Sequence, residues 1–285
     1  MRVGFIGLGE QGGAMAEMLL ADGHELHVWA RRPETAAAFA QRGARSHATA
    51  RELAGAVQLM CLCVTADADV LEVTEGNGVL SALRPGAVLA VHSTVSPQVC
   101  LQLAEQAQPR GVQVLDAPVS GSAVGARERR LLMMTGGDAD AAALAATAFA
   151  GFCKPIVHMG PLGSALHAKF INNLLMHANL ELARAALAAG ERFGIDRLVL
   201  REAMLAGVAR SFALDAIVRQ EVPERARHLV GLMQKDQQLA NAAAESAGVS
   251  LGDLSRLARA AQEHLRRCAA GAPPQPFRAS SMQAP

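Results

Sequence analysis

Two groups of residues in this 285-residue chain have the types and spacing to carry redox chemistry on a small molecule. The first is Gly7, Gly9 and Gly12 in GFIGLGEQGG, a GxGxxG spacing that follows the apolar run VGFI. Gly7 permits a tight turn, Gly9 lets a pyrophosphate approach the backbone, and Gly12 lets the next helix lie close to the strand. The helix start then offers N–H groups and the positive end of its dipole to phosphates. The second group is Lys169 in GPLGSALHAKFINNLL, with Asn172 and Asn173 three and four residues on. That spacing puts an amine and two amides on one helix face. Hydride exchange between a nicotinamide and a carbinol carbon leaves a hydroxyl proton to be moved. A lysine can move it when burial or nearby positive charge lowers its pKa. A cofactor site followed by an acid/base site is what a dehydrogenase requires.

The end of the second strand chooses between cofactors. NAD sites usually carry Asp or Glu there for the ribose hydroxyls. This chain reads VWARRPE, so Arg31 and Arg32 take the place and no acid precedes Glu34. An arginine fork matches a 2′-phosphate, which an acid would repel. NADP(H) is therefore the expected cofactor, with NAD(H) possible.

These residues need a scaffold, and the pattern of the chain supplies one. VGFI, ELHVWA, VQLMCLCV, AVLAV, VQVLDA, LLMMT and PIVHM read as strands. Helix-like segments lie between them at Gly13–Asp22, Glu34–Gln41 and Pro97–Gln108. Alternation of this kind predicts an α/β fold with a parallel, doubly wound Rossmann-type sheet. Gly23 and Gly43 stop helices, while Pro33 and Pro97 start them. From Ser164 the strand pattern ends. A long helix to about Phe193, stopped by Gly194, is followed by helical segments at Arg197–Ala206, Phe212–Arg219, Arg225–Ala247 and Leu251–Ala269. The expected domains are 1–162, binding dinucleotide, and 163–271, an all-α domain for substrate and oligomer contacts, with the cleft between them holding cofactor and substrate. Residues 272–285, rich in Pro, Ser and Ala, read as a flexible tail.

Composition narrows the function further. The formal net charge is +1 and aromatics make up 3% of residues, so neither a basic patch nor a base-stacking platform points to nucleic acid. No stretch approaches the roughly 20 apolar residues of a bilayer span, and no signal peptide is apparent. A cytoplasmic protein is expected. The five cysteines and nine histidines show no metal-ligand spacing, so no metal site is expected. Cys61 and Cys63 alternate within a buried strand and read as core. The surplus apolar surface of the long helix predicts a homodimer or homotetramer.

Four blocks, GFIGLGEQGGAMAEMLL, DAPVSGSAVGA, GSALHAKFINNLL and KDQQLA, resemble in sequence and order the β-hydroxyacid dehydrogenases, the family of 3-hydroxyisobutyrate dehydrogenase and the glyoxylate/succinic semialdehyde reductases. The resemblance implies that Lys169 is the catalytic lysine and that Ser120, Gly121 and Ser122 grip a substrate carboxylate. Asn173 helps to hold the substrate, and Asn172 supports the same helix face. Thr94, in HSTVSP, contacts the cofactor near the nicotinamide. Lys235, in the Lys235–Asp236 pair, lies at the closed cleft, touching substrate and cofactor. The cofactor set is completed by Leu8, Glu10, Gln11, Val64 and Thr65. A glycine-containing turn exposes N–H groups to a carboxylate, and the charge of Lys235 would lower the pKa of Lys169.

The chain departs from the family at Gln11, where methionine is usual, at Ser122, where a second glycine is common, and at Arg129, where a turn glycine is usual. Arginine at a positive φ is strained, so that turn is expected to be rebuilt. The expected reaction interconverts a small β-hydroxy acid and its semialdehyde or keto acid. Alternatives are an imine reductase, which usually lacks the lysine, and a non-catalytic NADP-binding module, which has usually lost it. Oxidative decarboxylation as in 6-phosphogluconate dehydrogenase is disfavoured because Asn172-Asn173-Leu174 replaces its motif.

Overall fold

The computed structural model describes residues 1–271; the expected tail at 272–285 lies outside the described residues. Two compact units divide the chain, one covering Met1–Lys169 and the other beginning at Phe170.

In the first unit the described strands are β1 (Arg2–Ile6), β2 (Glu25–Trp29), β3 (Arg45–Ser46), β4 (Leu59–Leu62), β5 (Val88–Val91), β6 (Gln113–Asp116), β7 (Val119–Ser120), β8 (Leu131–Gly136) and β9 (Cys153–Gly160). They form one sheet in the order β3-β2-β1-β4-β5-β6-β8-β7, with β9 on β8. Neighbours from β3 through β6 are parallel, as the alternation of strand and helix requires. Beyond β6 the direction reverses: β8 is antiparallel to β6 and to β7, and β9 is parallel to β8. The link from β6 to β8 is taken up by β7 and the short helix Ser122–Arg127. β1, β4 and β5 are apolar and almost wholly buried because helices cover both faces. Val3, Phe5, Met15, Leu19, Val28, Phe149 and Phe152 belong to the core beneath the glycine fingerprint.

The first helix runs from Glu10 to Ala21, three residues earlier than glycine propensity suggests. Gly12 and Gly13 are buried inside it, so packing overrides their poor helix propensity. The long helix spans Ser164–Arg192 and closes as expected at Gly194, whose φ is +78°, with Ile195 N–H donating to Gly190 O at 3.0 Å.

In the second unit the rest of that helix packs with Arg197–Ala206, Phe212–Gln220, Pro223–Ser246 and Gly252–Ala269. Leu180, Leu187, Leu214, Ile217, Met233 and Leu265 are among its buried core. Glu221 joins three of these segments, accepting from Arg197 at 2.8 and 2.9 Å and meeting His264 Nε2 at 3.0 Å. Among the described residues no helix is long and apolar enough to cross a membrane.

Candidate active site

At the end of β1 the chain must turn sharply under β4. Gly7 has a φ of +95°, and a Cβ there would sit 2.2 Å from Cys63 O. A Cβ on Gly12 would sit 2.0 Å from Gly7 O, so both positions exclude any larger residue. Gly9 differs: a Cβ would meet nothing within 4 Å. Its smallness is not required by the protein and leaves open space over the helix start. No side chain caps that helix start, so its first N–H groups remain for an anion. Gln11 Nε2 is buried without a hydrogen-bond partner among the described residues, a donor that a bound oxygen would satisfy. The residues present therefore fit a dinucleotide.

A cavity of about 360 Å³ runs from Gly7, Leu8 and Gly9 across to Trp29, Arg31 and Arg32 at the end of β2. Val64, after β4, also lines it, as do Asp69 and Glu72. Thr65 is exposed beside it and Glu10 is exposed at the helix start. The neighbouring loop is pinned at both sides of Thr94. Ser93 Oγ accepts from Val64 N–H at 2.8 Å, and Ser96 N–H donates to Asp67 Oδ1 at 3.1 Å. Thr94 itself is half-buried.

The next strand ends form the loop expected from the sequence to hold a carboxylate. His92, after β5, lies 2.7 Å through Nδ1 from Ala117 O, which fixes the chain just before Val119. Ser120 ends β7, Gly121 turns with a φ of +130°, and Ser122 follows at +59°. Ser122 thus keeps the left-handed geometry that a glycine would adopt freely. Arg129 does the same at +57°, which corrects the expectation of a rebuilt turn. Left-handed backbone costs roughly 1–2 kcal/mol for such a residue. Arg129 offsets it by donating to Gly151 O at 2.8 Å and pairing with Asp22 at 2.8 Å.

Lys169 is half-buried on the long helix. The start of that helix is anchored by a residue the sequence did not single out. Asp116, fully buried at the end of β6, accepts from Gly163 N–H and Leu166 N–H, both at 2.8 Å. Burial pushes its carboxyl up from the usual range, and these N–H groups pull it back in part. Gly136 makes room for the anchor, since a Cβ there would lie 2.3 Å from Asp116 Oδ1. Lys169 follows Leu166 by three residues, less than one turn.

In the second unit Asn173 Nδ2 donates to Asp236 Oδ2 at 2.8 Å, and Asn172 Nδ2 donates to Asn173 Oδ1 at 3.1 Å. Asp236 is buried and Lys235 half-buried, so the pair is not a solvated surface pair. Asp236 was legible only as the neighbour of Lys235; its partner is 63 residues away. The first unit thus gathers the glycine loop, Arg31, Arg32, Val64, Thr65, Thr94, Ser120–Ser122 and Lys169, while the second gathers Asn172, Asn173 and Lys235. Among the described residues no group of His, Cys, Asp and Glu is placed to hold a metal ion.

Comparison with known proteins agrees with this geometry. Residues 2–160 match the family model described as the NAD binding domain of 6-phosphogluconate dehydrogenase. Residues 163–275 match that described as the NAD-binding of NADP-dependent 3-hydroxyisobutyrate dehydrogenase. The chain belongs to the β-hydroxyacid dehydrogenase family. It is 32% identical to 3-hydroxyisobutyrate dehydrogenase of Pseudomonas aeruginosa, over 89% of each protein. It is also 32% identical to 2-hydroxy-3-oxopropionate reductase of Escherichia coli, over 95% of this chain and 92% of that one. The solved structure of Mycobacterium tuberculosis 3-hydroxyisobutyrate dehydrogenase with L-serine shares the fold, with a TM-score of 0.80 at 24% identity over 94% of each chain. This β-hydroxyacid dehydrogenase is accordingly an oxidoreductase that uses a nicotinamide cofactor.

Proposed function

We propose that the enzyme interconverts a small β-hydroxy acid and its semialdehyde or keto acid, with NADP(H) preferred. The observation that carries this reading is Lys169 on a helix whose first turn is fixed to the dinucleotide sheet by Asp116. A bound nicotinamide would supply or receive the hydride. Ser120, Gly121 and Ser122 hold the substrate carboxylate, helped by Asn173, whose amide is oriented by Asp236. Asn172 fixes that amide, and Lys235 contributes charge toward substrate and cofactor. Lys169 gives a proton to the carbonyl oxygen in reduction and takes it back in oxidation. Gly7, Leu8, Gly9, Glu10, Gln11 and Gly12 carry the pyrophosphate, Val64, Thr65 and Thr94 line the cofactor's path, and Arg31 and Arg32 favour a 2′-phosphate. The names of the two bacterial relatives suggest the first compounds to test.

NADPH and NADH consumption should be followed with 2-hydroxy-3-oxopropionate, succinic and methylmalonate semialdehydes, glyoxylate and cyclic imines, and the reduction of NADP+ and NAD+ with 3-hydroxyisobutyrate. Turnover of the acids, faster with NADPH, is the expected result. Lys169→Ala should lower turnover at least about 100-fold. Turnover of the imines alone, or full activity without Lys169, would defeat the reading.

A further inference from the structure

The arginine that the sequence offers to a 2′-phosphate is already engaged. Arg31 Nη2 lies 3.3 Å from Asp69 Oδ1, and Nη1 lies 3.8 Å from Glu72 Oε2. Both carboxylates line the same cavity as Arg31, Arg32 and Trp29. Asp69 is held in place because its second oxygen accepts from Ala66 N–H at 3.0 Å. Glu72 opens a π-helical turn, Glu72–Gly76, a rare widening found mostly at functional sites. Arg32 has no carboxylate partner among the described residues.

We propose that Asp69 and Glu72 supply through space the acid that is missing from the end of β2, and so set the balance between the two cofactors. This rests on the assignment of Arg31 and Arg32 to the 2′-phosphate. A phosphate arriving at Arg31 must displace these carboxylates or share the guanidinium with two like charges. A free ribose hydroxyl meets no such opposition and can donate to a carboxylate, as it does to the acid of an NAD site. The pocket then carries both recognition elements, with Arg32 as the principal partner of the 2′-phosphate. Asp69 and Glu72 hold discrimination in its favour below what two unopposed arginines would give.

The chain has one tryptophan and no tyrosine, and Trp29 lines the cavity, so its fluorescence reads adenine nucleotide binding without any turnover. 5′-AMP and adenosine 2′,5′-bisphosphate should be titrated into the wild type, Glu72→Gln, Arg31→Ala and the double variant. The discrimination is the ratio of the two Kd values. Glu72→Gln should raise it about three- to fivefold in favour of the 2′-phosphate, the upper worth of an exposed ion pair. Asp69→Asn, which keeps an oxygen for Ala66 N–H, should move it in the same direction. With Arg31→Ala already present, Glu72→Gln should change the ratio little. An unchanged ratio in both Glu72→Gln and Asp69→Asn would overturn the proposal. So would an equal gain without Arg31, since that is plain repulsion of the phosphate by Glu72. The wild-type ratio alone tests the NADP(H) preference, so that reading and this one fail separately.

Discussion

His92 shows how a single side chain can shape the pH response of this enzyme. Its ring is buried against Phe5 and Phe149, with centroids 6.1 and 5.0 Å away. Nδ1 faces Ala117 O, and Nε2 has no partner among the described residues. Burial pushes its pKa down from the usual 6.5 to about 4. Between those values the unfolded chain takes up a proton that the fold refuses. The contribution of His92 to stability is therefore intact above about pH 6.5 and is lost as pH falls toward 4. Lowering the pH from 7 to 5 should cost about 2 kcal/mol through this residue, measured as a lower midpoint in urea. Asp116, with its raised carboxyl, acts in the opposite sense. His92→Asn keeps a donor for Ala117 O and removes the titration. It should be less stable at pH 7 and lose less between pH 7 and 5. An equal loss would show that other groups set the acid sensitivity. Nothing in AVLAVHST marks this histidine as buried, because a lone polar residue at a strand end carries no periodic signal.

Among the elements, the long helix was the most legible. Its apolar periodicity, its polar HAKFINN segment and Gly194 at its end are written in contiguous residues. The anchor of its first turn was not, because Asp116 lies 47 residues before Gly163 and the contact exists only after the strands are ordered. The same limit hid Asp69 and Glu72 behind Arg31, and Asp236 behind Asn173. The reversal at β8 was missed for a related reason, since hydrophobic runs give no strand direction. Asp116→Asn tests the anchor. An amide offers one oxygen where two N–H groups need acceptors, so one buried donor is orphaned at a cost of about 1–3 kcal/mol. Removal of a buried charge offsets part of that cost. Turnover should fall about tenfold or more, because Lys169 is carried by the loosened turn. Binding of 5′-AMP, read at Trp29, should not change. A loss of stability with undiminished kcat would reduce Asp116 to a purely structural role.

At the scale of the whole molecule, the second unit exposes apolar surface among the described residues. Ile171, Leu175 and Leu182 share one face of the long helix, spaced four and seven residues apart, and each is about half exposed. The helix Arg197–Ala206 buries no residue, although Leu198 and Val199 are 58% and 61% exposed. An amphipathic helix with nothing buried gains little from folding alone, because its stability comes from covering an apolar face. Single exposed aliphatics need no explanation, but repeated ones on two helices of one unit are what an oligomer contact would cover. A second copy of the chain would cover these faces symmetrically, which is the sense of the homodimer or homotetramer expected from the sequence. Light scattering and sedimentation over a wide range of concentrations should give a dimer or tetramer. Leu175→Arg, at an exposed position, should shift it toward monomer with helical content preserved. A wild-type protein that stays monomeric at every concentration would instead require another cover for these faces, and residues 272–285 of the same chain would be the first to delete.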